Sequence, residues 1–579
     1  MNATANAWDM EVDVLVIGAG GCGLTAAIAA HEHALYDRVR EGLAGARRLR
    51  AGKHVAARRR GEGGRRRLLQ ARGAGRARDR RRRRVAGRGV RVVLCEQDDL
   101  ASHTSSASTK LIHGGLRYLE HGEFALVRKA LAERERLLRS APHILWPLRF
   151  VMPHDPASAA ARPAWLIRVG LFLYDHLARR EWLAASRGID LRCHPAGVPL
   201  KPVFRQGFEY ADGWADDARL VVLVAMDAAE RGATVLTRWR CVDAQRGADG
   251  WQVRLQSAAG RAHHLSARAL VNATGPWAAQ FLGEHAHAPK VRALRRVKGS
   301  HIVVPQLFDH DCAYLLQMPD KRVVFAIPYE RDFTLIGTTE VEHHGALGAL
   351  HIEADEIAYL CEQVSRYFQK PVVPADVVWS YAGVRALLDD GSGDAASVTR
   401  DYALELDVAG APVLSVWGGK LTTFRKLAEE VADRLAAPLH LERGAWTAQA
   451  VLPGGDFSDF IDAPVQPDAD FARFAAELAR RHPELSAALV QRWARAYGSR
   501  AERVLGTDGL GAEVAPGLFE AELRYLHRCE WARSADDVLW RRSKLGLHFT
   551  PTEREAVARW CVAQWGVVDG AAAGAPGSA

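Results

Sequence analysis

Gly18, Gly20 and Gly23 are the first residues whose type and spacing suggest chemistry. They stand as Gly18-Ala-Gly20-Gly-Cys-Gly23 between the apolar run Val12-Asp-Val-Leu-Val-Ile17 and the helix-prone Leu24-Thr-Ala-Ala-Ile-Ala-Ala30. Strand, glycine loop and helix in that order bring bare backbone N–H groups and the positive end of a helix to a pyrophosphate. A second apolar run, Val90-Arg-Val-Val-Leu-Cys95, closes on Glu96. An acid at that place holds ribose hydroxyls in a dinucleotide-binding unit. The same three glycines also fit an ordinary turn in any α/β protein, so the loop alone leaves both readings open.

In such a unit the acid follows the glycines by about 20 residues. Here Glu96 lies 73 residues beyond Gly23. The surplus is the segment 31–87. Between His31 and Val90 stand 20 Arg and one Lys against five acids, a local charge of +16 in a chain of net charge +10, so the other residues carry −6. Basicity is therefore a property of one segment and not of a binding face. That segment has one aromatic residue, Tyr36, and no apolar period, and is expected to be disordered. Three origins fit it: a basic arm for RNA or anionic lipid, a tolerated surface insertion, or an out-of-frame stretch of a GC-rich gene, whose codons yield Arg, Gly and Ala. The composition favours the last, and the lack of interleaved aromatics speaks against nucleic acid.

The elements that must position a site can be read around that segment. With 579 residues and 48% apolar content the chain is long enough for roughly two to four domains. Its eight cysteines form no CxxC pair, which argues against a zinc site, a redox dithiol or a disulfide framework. No apolar run is long enough to span a membrane, and Met1 to Glu11 does not resemble a secretion signal, so a cytoplasmic location is expected. Residues 101–150 read as a Ser-rich turn followed by helix. Residues 195–265 alternate helix and strand, with a hairpin at Gly247–Gly250, and 298–345 are strand-rich. From about residue 465 the pattern is helical, with a capping box at Ser534-Ala-Asp-Asp537.

Five longer strings carry more information than the glycine loop: Thr104–Glu120 (TSSASTKLIHGGLRYLE), Val271–Trp277 (VNATGPW), Lys298–Pro305 (KGSHIVVP), Ile336–Glu340 (IGTTE) and Trp417–Thr423 (WGGKLTT). With them the chain closely resembles the bacterial FAD-dependent glycerol-3-phosphate dehydrogenases, from about Gly89 to about residue 565. The first glycine loop departs from that pattern, and Gly18 to Ala30 looks more like a fumarate-reductase-type flavoprotein. Ala386 stands where the family commonly has Pro.

The resemblance implies an α/β fold: a doubly wound FAD-binding domain of the glutathione-reductase and D-amino-acid-oxidase type, a β-rich substrate domain and a C-terminal helical domain. The expected boundaries are 1–30 for the first strand and glycine loop, 31–87 for the Arg-rich insertion and 88–440 for the FAD domain. Interleaved in the last are substrate-domain parts near 195–240 and 285–390; then come 441–565 for the helical domain and 566–579 for a disordered tail. For FAD the resemblance implies Gly18, Gly20, Gly23, Glu96, Ser105, Ser106, Ala273, Thr274, Gly275, Gly418, Gly419, Leu421 and Thr422. For the substrate it implies Arg117, Tyr118, Thr338, Arg400 and Lys420, with His301 as the base at the C2 hydroxyl and Arg385 stabilising the developing charge or holding phosphate.

The implied reaction is oxidation of sn-glycerol 3-phosphate to dihydroxyacetone phosphate, with electrons passing to membrane quinone at the inner face of the cell membrane. No metal or nucleic acid is implied, and a homodimer is left open. A same-fold oxidase using oxygen, on glycerophosphate or an amino acid, is the nearest alternative, and a basic nucleic-acid-binding protein on an inactive scaffold the remoter one. Ala164–Arg180 is apolar on one side, rich in Trp and Phe, and closed by Arg, which suits a helix lying in a membrane interface; the same pattern also fits a buried core helix.

Overall fold

The computed structural model describes residues 9–20, 23, 90–154, 162–288, 292–320, 322–348, 350–389, 400–441, 445–506 and 509–566. The Arg-rich segment 31–87 and the tail lie outside these, so the expectations about them are not addressed by the fold.

The apolar run that precedes the glycine loop becomes β1 (Asp9–Ile17), and the run that ends on the acid becomes β2 (Val92–Glu96). They pair directly and in parallel, Val14 opposite Val92 and Ile17 opposite Cys95, despite the residues between them. Val14–Ile17 and Val92–Cys95 are buried on two faces, which is why these stretches are continuously apolar instead of alternating.

Between β2 and the next first-sheet strand come β3 (Leu111–Ile112), β4 (Leu145–His154), β5 (Arg187–Asp190) and β6 (Gln206–Ala215). The first sheet continues with β7 (Thr234–Thr237), the hairpin β8 (Trp239–Arg246) and β9 (Trp251–Ser257), and β10 (Ala262–Asn272). The chain then adds β11 (Leu294–Pro305), β12 (Ala313–Gln317), β13 (Val323–Tyr329), β14 (Phe333–Gly337), β15 (Val341–Glu342) and β16 (Trp379–Leu388). It returns through β17 (Ala403–Asp407) and β18 (Val413–Trp417).

The first sheet has the order β17-β18-β10-β1-β2-β7, with the β8–β9 hairpin attached to β10; β18, β10, β1, β2 and β7 run parallel. The chain leaves β1 toward one side and β10 toward the other, so the crevice at their carboxyl ends is the switch point where such sheets bind nucleotides.

The second sheet has the order β15-β11-β14-β13-β12-β4-β6-β3, with β16 on β11 and β5 on β6. Its strands begin at Leu111 and Leu145, ahead of the 195–240 and 285–390 segments expected from the sequence, and Thr234–Thr237 and Trp239–Arg246 pair in the first sheet. Residues 101–150 thus hold two 3-10 turns, the short β3, the helix Phe124–Ser140 and the start of a central strand.

The C-terminal helices Pro467–Arg481, Ala487–Tyr497, Glu520–Cys529 and Pro551–Trp565 share one apolar core with the first sheet, in which Val16 and Leu94 join Leu427, Phe474, Trp493 and Leu526. Buried charges cross that seam in pairs: Arg219 with Glu530, and Arg542 with Asp99. Pairing is what makes such burial tolerable, and loss of one partner would strand the other. The Ser534 box closes reciprocally, Ser534 N donating to Asp537 Oδ2 (3.0 Å) and Asp537 N to Ser534 Oγ (3.3 Å). The seven described cysteines are free.

Candidate active site

A cavity of about 550 Å³ runs from the crevice between the ends of β1 and β10 to the face of the second sheet. Its nucleotide end is shaped by missing side chains. Gly18 has a positive φ (98°), and a Cβ there would lie 2.5 Å from Ala273 O; a Cβ on Gly23 would lie 2.0 Å from Gly18 O. The two crossovers, Gly18–Gly20 and Ala273–Gly275, therefore touch only because these positions are glycine. Ala19 N donates to Glu96 Oε2 (2.8 Å), which ties the acid of β2 to the loop after β1, and burial raises the Glu96 carboxyl above its ordinary pKa.

At the far end Gly418 and Gly419 both have positive φ, leading into the turn Leu421–Thr423 and the N-terminus of the helix Phe424–Leu439. Backbone N–H groups and a helix dipole there favour negative charge. Bare backbone at three loops, a carboxylate at the ribose position and a helix start at the other end fit an extended flavin dinucleotide.

The substrate end is cationic. Glu340 lies among three arginines: Arg400 Nη2 at 3.3 Å, Arg385 Nη1 at 3.6 Å and Arg117 Nη1 at 3.9 Å. Arg385 Nη2 donates to Thr338 Oγ1 (3.2 Å), while Arg385 Nη1 is buried without a hydrogen-bond partner among the described residues. Lys420 Nζ donates to His113 O (3.3 Å) and sits 4.6 Å over the Tyr118 ring. Burial pushes the Tyr118 phenol up, but Lys420, Arg400 and Arg385 outweigh it, and its pKa is lowered. Burial lowers Lys420 and Arg385, the latter against the pull of Glu340. Arg117, Arg385, Arg400 and Lys420 outnumber the carboxylates of Glu340 and Asp401, and Asp401 also pairs with Lys129 (3.1 Å), which leaves a receptor for a dianion.

Of the residues singled out from the sequence, Gly18, Gly20, Glu96, Ser105, Ala273, Thr274, Gly275, Gly418, Gly419, Leu421, Thr422, Arg117, Tyr118, Thr338, Arg385, Arg400 and Lys420 line this cavity. Three do not. Gly23 packs behind Gly18. Ser106 turns its hydroxyl back to donate to His103 O (3.1 Å), capping its own turn. His301, 1% exposed, stacks on Tyr381 (4.8 Å between centroids) and meets the cavity wall at Thr109, whose Oγ1 lies 3.0 Å from His301 Nε2. Burial, then Arg385 and Lys110, holds the His301 imidazole well below its ordinary pKa. Glu340 was not selected from the sequence although it lies inside the quoted string Ile336–Glu340; an acid at such a position declares a role only once its partners are known.

The two-sheet fold and this cavity define an FAD-dependent oxidoreductase. The family model described as FAD dependent oxidoreductase matches residues 73–425, and that of the C-terminal domain of alpha-glycerophosphate oxidase matches 445–563. The chain is 50% identical over 482 residues to a glycerol-3-phosphate dehydrogenase of Pseudomonas aeruginosa, covering 82% of this chain and 91% of that one. It is 47% identical to the aerobic glycerol-3-phosphate dehydrogenase of Escherichia coli and 47% to D-erythritol 1-phosphate dehydrogenase of Brucella abortus, each alignment covering 82% of this chain and 93% of the relative. Among solved structures it is similar in fold to the glycerol-3-phosphate dehydrogenase of Bacillus halodurans complexed with FAD (TM-score 0.68, 24% identity, 96% of this chain and 91% of that one). The chain belongs to the FAD-dependent glycerol-3-phosphate dehydrogenase family.

Proposed function

We propose that this chain oxidises sn-glycerol 3-phosphate at C2 to dihydroxyacetone phosphate and passes the electrons to membrane quinone from the inner face of the cell membrane. The observation that carries the reading is the group Arg117, Arg385, Arg400 and Lys420 at the end of a nucleotide-shaped cavity. A phosphate dianion accepts charge-assisted bonds from several of them, whereas an amino-acid substrate offers a single carboxylate. Bound FAD supplies the acceptor for the hydride that leaves C2. Gly18, Gly20, Glu96, Ser105, Ala273–Gly275 and Gly418–Thr422 hold it in this reading, and Gly23 and Ser106 shape the loops that do. Arg385, fixed through Thr338, holds phosphate or steadies the oxygen from which the proton departs, and His301 takes that proton.

The membrane part rests on one helix, Ala164–His176. Its inner side is pinned: Tyr174 Oη donates to Asp212 (2.9 Å) and accepts from Gly114 N (2.8 Å). Its outer side presents Trp165 (67% exposed), Val169 and Phe172 (57%) to solvent beside the exposed Arg168 and Arg179. An amphipathic helix of that kind lies in a membrane interface. No described helix is long and apolar enough to cross a membrane.

The 47% relative that acts on D-erythritol 1-phosphate makes a longer polyol phosphate the second reading. Anaerobic bleaching of the flavin absorption decides: glycerol 3-phosphate is expected to bleach it at lower concentration than erythritol phosphate, and unphosphorylated glycerol not at all. Equal bleaching by glycerol overturns the assignment. Quinone analogue against oxygen as reoxidant tests the acceptor.

A further inference from the structure

We propose that the Thr109 hydroxyl carries the proton between the substrate's C2 hydroxyl and His301, so that Thr109 and not the imidazole touches the reacting oxygen. The proposal rests on His301 being the base.

His301 cannot reach the cavity by itself. Its ring is sandwiched against Tyr381, 16° from parallel, and a Cβ at Gly337 on the neighbouring strand would lie 2.1 Å from its Cδ2. Rotation of the ring out of this slot would collide with one or the other. On the same strand the residue that lines the cavity is Gly299, two positions away, and His301 is absent from the wall. His301 Nδ1 is buried without a partner, so among the described residues the imidazole makes one hydrogen bond, Nε2 to Thr109 Oγ1 at 3.0 Å. Thr109 lines the cavity. Its hydroxyl is thus the bridge from the buried nitrogen to the substrate's space.

The backbone around Thr109 is fixed on both sides, as a relay atom requires. Ser108 donates from N and Oγ to Asp217 (3.2 and 2.7 Å), and Tyr381 Oη donates to Ser108 O (2.9 Å). Lys110, in the left-handed region (φ 59°) and buried, pairs with the same Asp217 at 2.7 Å and donates to Ser106 O. Tyr381 therefore holds both members of the relay: its ring packs on His301 and its hydroxyl grips the residue before Thr109.

The proton stays within the protein's own groups, and the hydride from C2 goes to the bound flavin of the proposed function, the one oxidant the step needs. The C2 O–H bond breaks and an O–H bond forms at Thr109 Oγ1, while Thr109's own proton moves to His301 Nε2. The electron pair left on the C2 oxygen closes the carbonyl as the hydride departs from C2. A threonine oxygen both accepts and donates, so the relay returns to its starting state when His301 later releases its proton.

The test compares Thr109→Val, Thr109→Ser, His301→Gln and the Val/Gln double variant by stopped-flow flavin reduction. Retained FAD absorption and an unchanged melting temperature show that each is folded. Thr109→Val is expected to slow reduction about 10²- to 10³-fold with KM little changed, Thr109→Ser to recover most of the rate, and the double variant to be no slower than the slower single. Independently of turnover, the Nε2 resonance of His301 in ¹⁵N-histidine-labelled flavin-free protein is expected to shift in Thr109→Val and not in Thr109→Ser. If His301→Gln is slow while Thr109→Val reduces flavin at the wild-type rate, the relay is overturned and the base stands. If His301→Gln is itself as fast as wild type, the base reading fails and the relay with it.

Discussion

Replacing Arg385 by Ala isolates how the cationic end of the cavity treats a phosphate. Among the described residues the side chain makes one hydrogen bond, Nη2 to Thr338 Oγ1, and stands 3.6 Å from Glu340 through Nη1, a buried nitrogen without a hydrogen-bond partner there. The exposed 30% of the side chain is what remains for substrate. A charge-assisted hydrogen bond contributes about 1.5–3 kcal/mol, or roughly 10- to 150-fold in affinity. Because the side chain is 30% exposed, solvent screening places the expected loss in the lower part of that range, roughly 10- to 50-fold. The assay is KM for glycerol 3-phosphate together with Ki for inorganic phosphate as a competitor. Both constants should rise by the same factor if Arg385 holds the phosphate, with Arg385→Lys falling between, since an ammonium keeps the charge and loses the planar fork. A large rise in KM with an unchanged phosphate Ki would refute the phosphate role and leave Arg385 acting at the reacting oxygen.

Three further outcomes are expected. Trp165→Ser with Phe172→Ser should reduce co-sedimentation with anionic vesicles several-fold while leaving flavin reduction by substrate unchanged; undiminished binding would move the membrane contact elsewhere. The Glu330 carboxyl is pushed up to about 7 by burial, against the pull of Lys544, from an ordinary value of 4.5. The folded protein therefore holds that proton more tightly than the unfolded chain, and stability falls as pH rises from 4.5 through 7; Glu330→Gln should raise Tm at pH 8 and leave it unchanged at pH 4, and a gain at pH 4 would contradict the reasoning. Because β1 and β2 pair directly and Ala19 bonds Glu96, replacing residues 31–87 by a short helical linker should preserve FAD binding and substrate preference; loss of flavin in that variant would make the segment functional.

The first sheet was legible because burial on both faces writes itself as apolar runs, Val14–Ile17 and Val92–Cys95, each preceded by one charged residue, Asp13 or Arg91, and these runs became the body of β1 and β2. The second sheet was harder. Its strand β4 carries Pro147 and Pro153, residues that usually demote a run to an edge or a loop. It is nevertheless central, paired with β6 along its length and with β12 only at Phe150 and Val151, so neither proline is asked for an N–H on the β12 side. The two-residue β3 is too short to leave a pattern at all. The shared core of the C-terminal helices and the nucleotide sheet was likewise invisible, because a helical period says that one face is apolar and not which sheet covers it.

The site was legible to the extent that its chemistry resides in backbone. Glycines at 18, 418 and 419 announce close approach because no other residue takes those conformations cheaply. Side-chain chemistry is different, since a string fixes neighbours along the chain and a site is made of neighbours across it. Ser105 and Ser106 are adjacent and chemically identical, yet one lines the cavity and the other caps its own turn. His301 and Gly299 share a strand face, yet only the glycine reaches the wall. Thr109 and His301 stand 192 positions apart and meet at 3.0 Å. In the proposed relay the histidine of a telling string is where the proton ends, and the hydroxyl through which it would travel becomes visible only when the buried ring is seen to meet the cavity wall at Thr109.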